Sequence, residues 1–116
     1  MIARIWHGRT KTADADIYRE YVIRTGVPDY AAITGNKGIQ IWQRKEGEIT
    51  HIWTVTWWED YESIKAFAGA DYTKAKYYEE DKKYLLEFEE EVIHTEVFDF
   101  SEKAMSYELR APLEKT

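Results

Sequence analysis

The sequence contains no cysteine, only two prolines and no long hydrophobic run. Without cysteine there is no disulfide framework, no thiolate zinc site and no cysteine nucleophile. No apolar stretch approaches the roughly 20 residues that span a bilayer. Basic residues are in the minority, since 16 Lys and Arg stand against 22 Asp and Glu and leave a net charge of −6. This balance argues against nucleic acid and against an anionic membrane surface as partners.

Signals for export and for cofactor binding are also missing from the sequence. Residues 1–6 alternate between apolar and other side chains instead of forming a single apolar core, so we expect a cytoplasmic protein. No Gly-rich phosphate loop, nucleophile elbow or Rossmann fingerprint occurs. The sequence therefore predicts no cofactor.

Aromatic side chains are abundant and make up 16% of the 116 residues, a length that corresponds to one domain. A helix is predicted over 15–25, ended by Gly26 and Pro28, and a second helix follows Asp60, with Asp71 placed to cap a continuation. Alternating patterns predict four strands, over 1–9, 39–44, 48–58 and 92–98. The order βαββαβ predicts an α+β, ferredoxin-like fold with a four-stranded antiparallel sheet and both helices on one face.

Both faces of the predicted sheet carry large apolar side chains. On the third strand Trp53, Val55 and Trp57 alternate with Ile52 and Trp58. The helices cover one face only, and the other face would leave a wide apolar patch in water. A second copy of the sheet is the simplest cover, which predicts a homodimer that forms a dimeric α/β barrel.

The domain is expected to cover 1–98 and to be followed by a C-terminal tail, 99–116. Two interpretations of this tail stay open. It is either a loosely ordered terminus or an arm that packs on the partner subunit.

A family resemblance is carried by four segments in order: 1–8 (MIARIWHG), Trp58-Glu59, 67–72 (FAGADY) and 94–97 (HTEV). Through them, residues 1–98 resemble the antibiotic biosynthesis monooxygenase-like family of the dimeric α/β-barrel superfamily. The resemblance implies a homodimeric oxidoreductase, a cofactor-independent monooxygenase with a small planar aromatic or polyketide-like substrate in a cavity. The same resemblance admits a dimer that binds a small molecule, or haem, without catalysis.

The haem-degrading branch of this superfamily has a similar layout but different residues at the matching positions. Where that branch has an Asn, a Trp and a His, this chain has His7, Phe67 and Tyr77. The resemblance therefore argues against haem degradation, while haem binding stays open.

His7 and Arg4 are the candidate catalytic residues. An imidazole changes charge near neutral pH, so His7 is the expected base that removes a proton from an acidic phenol or enol, and its alternative role is structural. Arg4 stands between Ile2 and Trp6, so its charge needs a partner if that face is covered. The partner is either a carboxylate such as Glu96 or a ligand anion.

His94 is expected on the fourth strand beside the first, where it approaches His7, with Glu96 two residues further along. Two histidines and a carboxylate make a metal site conceivable, but the spacing is not diagnostic and we predict no metal. The third strand is expected to run parallel to the first, which places His51 outside the site. The residues expected to contact substrate are Trp6, Trp58, Phe67, Asp71, Tyr72 and His94. For Asp71 the alternative role is a helix N-cap.

Overall fold

The computed structural model describes residues 1–100. Its elements follow in the order β1 (Ile2–Lys11), α1 (Ala15–Ala31), β2 (Asn36–Glu46), β3 (Ile49–Trp58), α2 (Tyr61–Ala68) and β4 (Ile93–Glu96). Short 3-10 turns stand at Thr12–Asp14 and Glu79–Lys83. The predicted βαββαβ order is therefore confirmed.

The four strands form one sheet in the order β2-β3-β1-β4, and every neighbouring pair is antiparallel. This arrangement confirms the ferredoxin-like sheet. It also corrects the expected direction of the third strand, because β1 and β3 run antiparallel, with His7 opposite Trp53. In a βαββαβ sheet the strands joined through a helix run in the same direction, β1 with β2 and β3 with β4, and β3 lies between β1 and β2 in the opposite direction.

Both helices pack on the same face of the sheet, as predicted. Trp6 and Ile52 meet Tyr18, Tyr21 and Val22 of α1 in one buried cluster. A second cluster is formed by Ile2, Trp58, Ile64 and Phe67, the last two from α2. We call this the helix face, and the opposite side of the sheet the open face. Along β1 the even-numbered residues lie on the helix face and the odd-numbered residues on the open face.

Helix α1 continues beyond its predicted end at residue 25. Gly26 and Pro28 both lie inside it, and it ends at Ala31. Pro28 lies in the last turn, where the loss of one backbone N–H removes little of the helix. Tyr30 anchors this turn, because its ring lies 4.6 Å from that of Phe67 in α2 and 6.4 Å from that of Trp58 in β3, measured between ring centroids. Tertiary packing thus overrides the two residues that usually end a helix.

Helix α2 begins as predicted and ends earlier than predicted. Asp60 caps it by accepting a hydrogen bond from the backbone N–H of Ser63 at 2.9 Å, and Gly69 ends it with a φ of 88°. The continuation past Asp71 is not a helix. Residues 69–92, which we call the strap, cross the helix face with a single 3-10 turn. Their backbone bonds go to other segments, for example from Leu86 N–H to the carbonyl of Arg9 at 2.9 Å.

Strand β4 is shorter than predicted, with only four residues. In the part of the chain that the structure describes, no helix is long and apolar enough to cross a membrane. The predicted tail begins at residue 99, and its residues 101–116 lie outside the described residues. The domain limits of 1–98 stay a prediction.

Candidate functional site

A cavity of about 40 Å³ lies between the helix face of the sheet, α1 and the strap. Its polar wall includes Arg4, Lys76 and Asp81. Six aromatic side chains line the rest of it together with smaller residues: Trp6, Tyr18, Tyr30, Phe67, Tyr77 and Tyr78. Flat rings around a few charged groups are typical of a site for a planar organic molecule.

Arg4 is the most unusual residue of this wall, because it is a cation with only 4% of its surface exposed. Its guanidinium donates to the backbone carbonyl of Tyr72 and, at 3.0 Å, to that of Lys74, both in the strap. Its Cζ lies 5.8 Å from the centroid of the Phe67 ring. Burial lowers the pKa of the guanidinium from its ordinary value of 12.5, but an arginine side chain stays charged at neutral pH.

No carboxylate pairs with Arg4 among residues 1–100. The alternative partner considered from the sequence, Glu96, is exposed on β4 and stands opposite Ile2 in the strand register. Arg4 therefore forms no ion pair with Glu96 or with another carboxylate of residues 1–100. A buried cation that is bonded only to neutral groups is costly unless an anion joins it.

His94 lies beside Arg4, as its position opposite Arg4 in the β1–β4 register requires. Its Nε2 is 3.2 Å from an Arg4 nitrogen, and since guanidinium only donates, Nε2 accepts this bond and carries no proton. Burial lowers the pKa of His94 to about 4, and the positive charge of Arg4 adds to the effect. His94 is therefore neutral at neutral pH and helps to orient the guanidinium.

Asp81 forms the acidic end of the cavity and is 4% exposed. It accepts hydrogen bonds from the hydroxyl of Tyr18 at 3.0 Å and from the backbone N–H of Tyr78 at 2.6 Å. Burial raises the pKa of Asp81, and these two bonds oppose that shift. Burial also raises the pKa of both tyrosines, and the Tyr78 hydroxyl donates to Asp29. The phenols of the cavity are therefore protonated donors.

Trp6 presents its ring to the cavity because the neighbouring position on its face is a glycine. A Cβ at Gly8 would lie 2.6 Å from Cζ2 of Trp6, so only glycine leaves room for the indole. The indole N–H donates to the hydroxyl of Tyr77 at 3.2 Å, and that hydroxyl donates to the carbonyl of Glu89 at 2.7 Å. These bonds tie the strap to β1.

His7 lies on the open face, away from the cavity. Its Nδ1 contacts Glu89, and its Nε2 is 2.8 Å from Nδ1 of His51. The rings of His7 and His51 are stacked with centroids 5.1 Å apart, and both rings contact that of Trp53.

Two expectations about these histidines are wrong. His94 does not approach His7, because residues four and seven of one strand point to opposite faces. His51 is not remote from His7, because the antiparallel register of β1 and β3 makes them neighbours. In the described part of the chain no group of three or more His, Asp or Glu side chains is arranged to hold a metal ion.

The other predicted contact residues lie at different distances from the cavity. Phe67 lines it with Trp6, whereas Trp58 is fully buried behind Phe67 and donates its N–H to Thr56 at 2.8 Å. The Tyr72 ring packs on that of His94, with centroids 5.4 Å apart. Asp71 is exposed and caps no helix.

Sequence reasoning did not select several residues of the cavity wall, notably Tyr18, Tyr30, Lys76, Tyr77 and Asp81. The first two, Tyr18 and Tyr30, lie on helix α1, where the sequence does not distinguish an aromatic residue of the core from one that lines a cavity. The other three belong to the strap, for which the sequence predicts a helix with a different set of inward-facing residues. The available signal is the density of aromatic residues from 72 to 78.

Comparison with known proteins supports the fold. A scan of protein-family models and a search of curated proteins match nothing. Among solved structures, the chain is similar to the crystal structure of a "putative antibiotic biosynthesis monooxygenase" from Bacillus cereus, with a TM-score of 0.57 and 12% identity. The match covers 85% of this chain and 94% of that chain. The chain therefore has the fold of an antibiotic biosynthesis monooxygenase-like protein, as its four resembling segments imply.

Proposed function

We propose that the chain is a small monooxygenase-like enzyme that binds a planar aromatic or polyketide-like molecule as its anion in the cavity. The observation that carries this proposal is Arg4, a buried cation without a carboxylate partner among residues 1–100, at the wall of an aromatic cavity. A phenolate or enolate oxygen would supply the missing negative charge. The structural neighbour, named after a monooxygenase, supports the choice of reaction class.

In this proposal the protein acts by stabilising the substrate anion. A positive charge within a few ångströms lowers the pKa of a bound phenol or enol, so the hydroxyl loses its proton on binding. The anion then reduces dioxygen, as the family resemblance implies. Trp6 and Phe67 provide flat surfaces for the rings, and the surrounding side chains shield part of the reacting anion from bulk water.

His7 has no part in this cavity, because its side chain is on the other face of the sheet. His94 is a weak base, since its pKa is lowered to about 4. We therefore assign the main electrostatic role to Arg4, and His94 is a positioning residue that orients it.

Substrate entry requires the strap to move. A volume of about 40 Å³ holds a few water molecules and no ring system. The ligand anion would replace the carbonyls of Tyr72 and Lys74 on Arg4, and these two bonds help to hold the strap closed. Binding of the anion and opening of the strap are coupled in this way.

The experiment compares wild type with Arg4→Gln, Arg4→Lys and His7→Gln, and measures binding of 2-naphthol by calorimetry and oxygen uptake with an electrode. We expect Arg4→Gln to weaken binding of the anion about tenfold or more, as for a buried charged hydrogen bond. Arg4→Lys should keep part of the affinity, and His7→Gln should behave as wild type. Equal affinity of wild type and a folded Arg4→Gln would overturn the proposal.

A second candidate function is binding without turnover. It is favoured by the absence, among the described residues that line the cavity, of a side chain free to act as a base, since Asp81 is engaged by Tyr18 and Tyr78. If several hydroxylated polycyclic compounds bind as anions and none of them causes oxygen uptake, the chain is a binding protein and not an enzyme.

We propose further that the open face is the interface of a homodimer. On it, Trp42 is 46% exposed and Ile93 is 65% exposed, and Trp53 and Trp57 are half-buried. A second copy of the same face would remove these side chains from water.

A further inference from the structure

Lys76 is a second cation at the mouth of the cavity. Its Nζ lies 4.4 Å from the centroid of the Phe67 ring and 5.9 Å from that of Tyr78. The side chain is exposed, and within residues 1–100 it forms no ion pair. Arg4 lies near the same Phe67 ring, with its Cζ 5.8 Å from the centroid. One ring is thus approached by two cations.

No carboxylate of residues 1–100 forms an ion pair with either of these cations. Asp81 is occupied by Tyr18 and by the backbone of Tyr78, and Asp29 accepts from the hydroxyl of Tyr78. Two like charges beside one ring repel each other, and ring contacts offset only part of that cost. An anionic group near Lys76, in addition to the one on Arg4, would relieve the repulsion.

We propose that Lys76 is a specificity residue and that the preferred ligand is a hydroxylated aromatic carboxylate. The phenolate or enolate oxygen lies on Arg4, and the carboxylate lies at the mouth on Lys76. This inference rests on the proposed function, because it requires an aromatic ligand in the same cavity. It adds that the ligand carries two anionic groups.

The test compares 2-naphthol with 6-hydroxy-2-naphthoate, which share the ring system and the hydroxyl and differ by a carboxylate at the opposite end of the rings. Calorimetry gives the affinity of each probe for wild type, Lys76→Gln and Lys82→Gln. Lys82 is the matched control, since it is an exposed lysine of the same strap that does not line the cavity. Because Lys76 is exposed, we expect Lys76→Gln to weaken hydroxynaphthoate about fivefold. Its affinity for 2-naphthol and both affinities of Lys82→Gln should be those of wild type.

A salt titration provides an independent readout. High salt should reduce the preference of wild type for the carboxylate and leave Lys76→Gln unchanged, since salt screens an exposed charge pair. If wild type binds 2-naphthol but shows no preference for the carboxylate, or if Lys76→Gln keeps that preference, the inference is wrong and the proposed function stands. If wild type binds neither probe, both are wrong.

Discussion

Arg4 occupies an even-numbered position of β1, and its side chain therefore points to the helix face, between those of Ile2 and Trp6. The sequence indicated that this charge needs a partner, and it left two partners open. The structure excludes Glu96 as the partner of Arg4 and places the guanidinium among backbone carbonyls and a neutral histidine. What the sequence did not reveal is the strap, because its bonds to Arg4 join residues about seventy positions apart.

His94 leads to a prediction about acid stability. Its pKa is lowered from 6.5 to about 4 in the folded protein, so between these values the unfolded chain binds a proton that the folded chain does not. The contribution of His94 to the free energy of unfolding therefore falls as pH is lowered from about 6.5 towards 4. His94→Gln keeps an acceptor for Arg4 and removes this titration.

We expect urea denaturation to show a smaller loss of stability between neutral pH and pH 5 in His94→Gln than in wild type. Other titrating groups are common to the two proteins and cancel in the comparison. Parallel pH dependence in both would show that His94 is not a neutral acceptor of Arg4.

At the scale of elements, the strands were the predictable part. Period-two patterns located β1, β2 and β3, since each alternation depends on local chemistry. The end of α1 was missed because Tyr30 packs on Phe67 across the fold. The strap was missed for the same kind of reason, since bonds to distant residues replace the helical bonds that its composition favours.

A substitution of Tyr77 tests how the strap is attached to β1. Its hydroxyl accepts from Trp6 and donates to the carbonyl of Glu89, so Tyr77→Phe removes two bonds at once. We expect a loss of about 1–2 kcal/mol in the free energy of unfolding and faster hydrogen exchange over residues 69–92.

Tyr61→Phe is the matched control, because Tyr61 is 40% exposed and its ring lies beside those of Tyr72 and His94, contacts that phenylalanine keeps. It should leave exchange in the strap unchanged. If Tyr77→Phe also leaves it unchanged, the bonds through Tyr77 do not hold the strap.

At the scale of the whole molecule, the alternation of apolar residues on both faces predicted a second layer, and the helices cover one face only. Substitutions of Ile93 and Ile17 provide a matched test of what covers the open face. Both are exposed isoleucines, at 65% and 57%, but Ile93 lies on the open face and Ile17 on the outside of α1.

Native mass spectrometry should find a dimer for wild type. Ile93→Lys should shift it to monomer, because a lysine ammonium would be buried in the interface, and Ile17→Lys should leave the dimer intact. A monomeric wild type, or dissociation by Ile17→Lys alone, would contradict the proposed interface.

The central claim is that the cavity binds an aromatic ligand as its anion on Arg4, and proton release on binding tests it most directly. Titrating 2-naphthol at about pH 8, below the pKa of about 10 of a free phenol, in buffers of different ionisation enthalpy gives the number of protons released. We predict about one proton per ligand for wild type and a clearly smaller number for Arg4→Gln. Binding without proton release by wild type, or equal release from both proteins, would contradict the account.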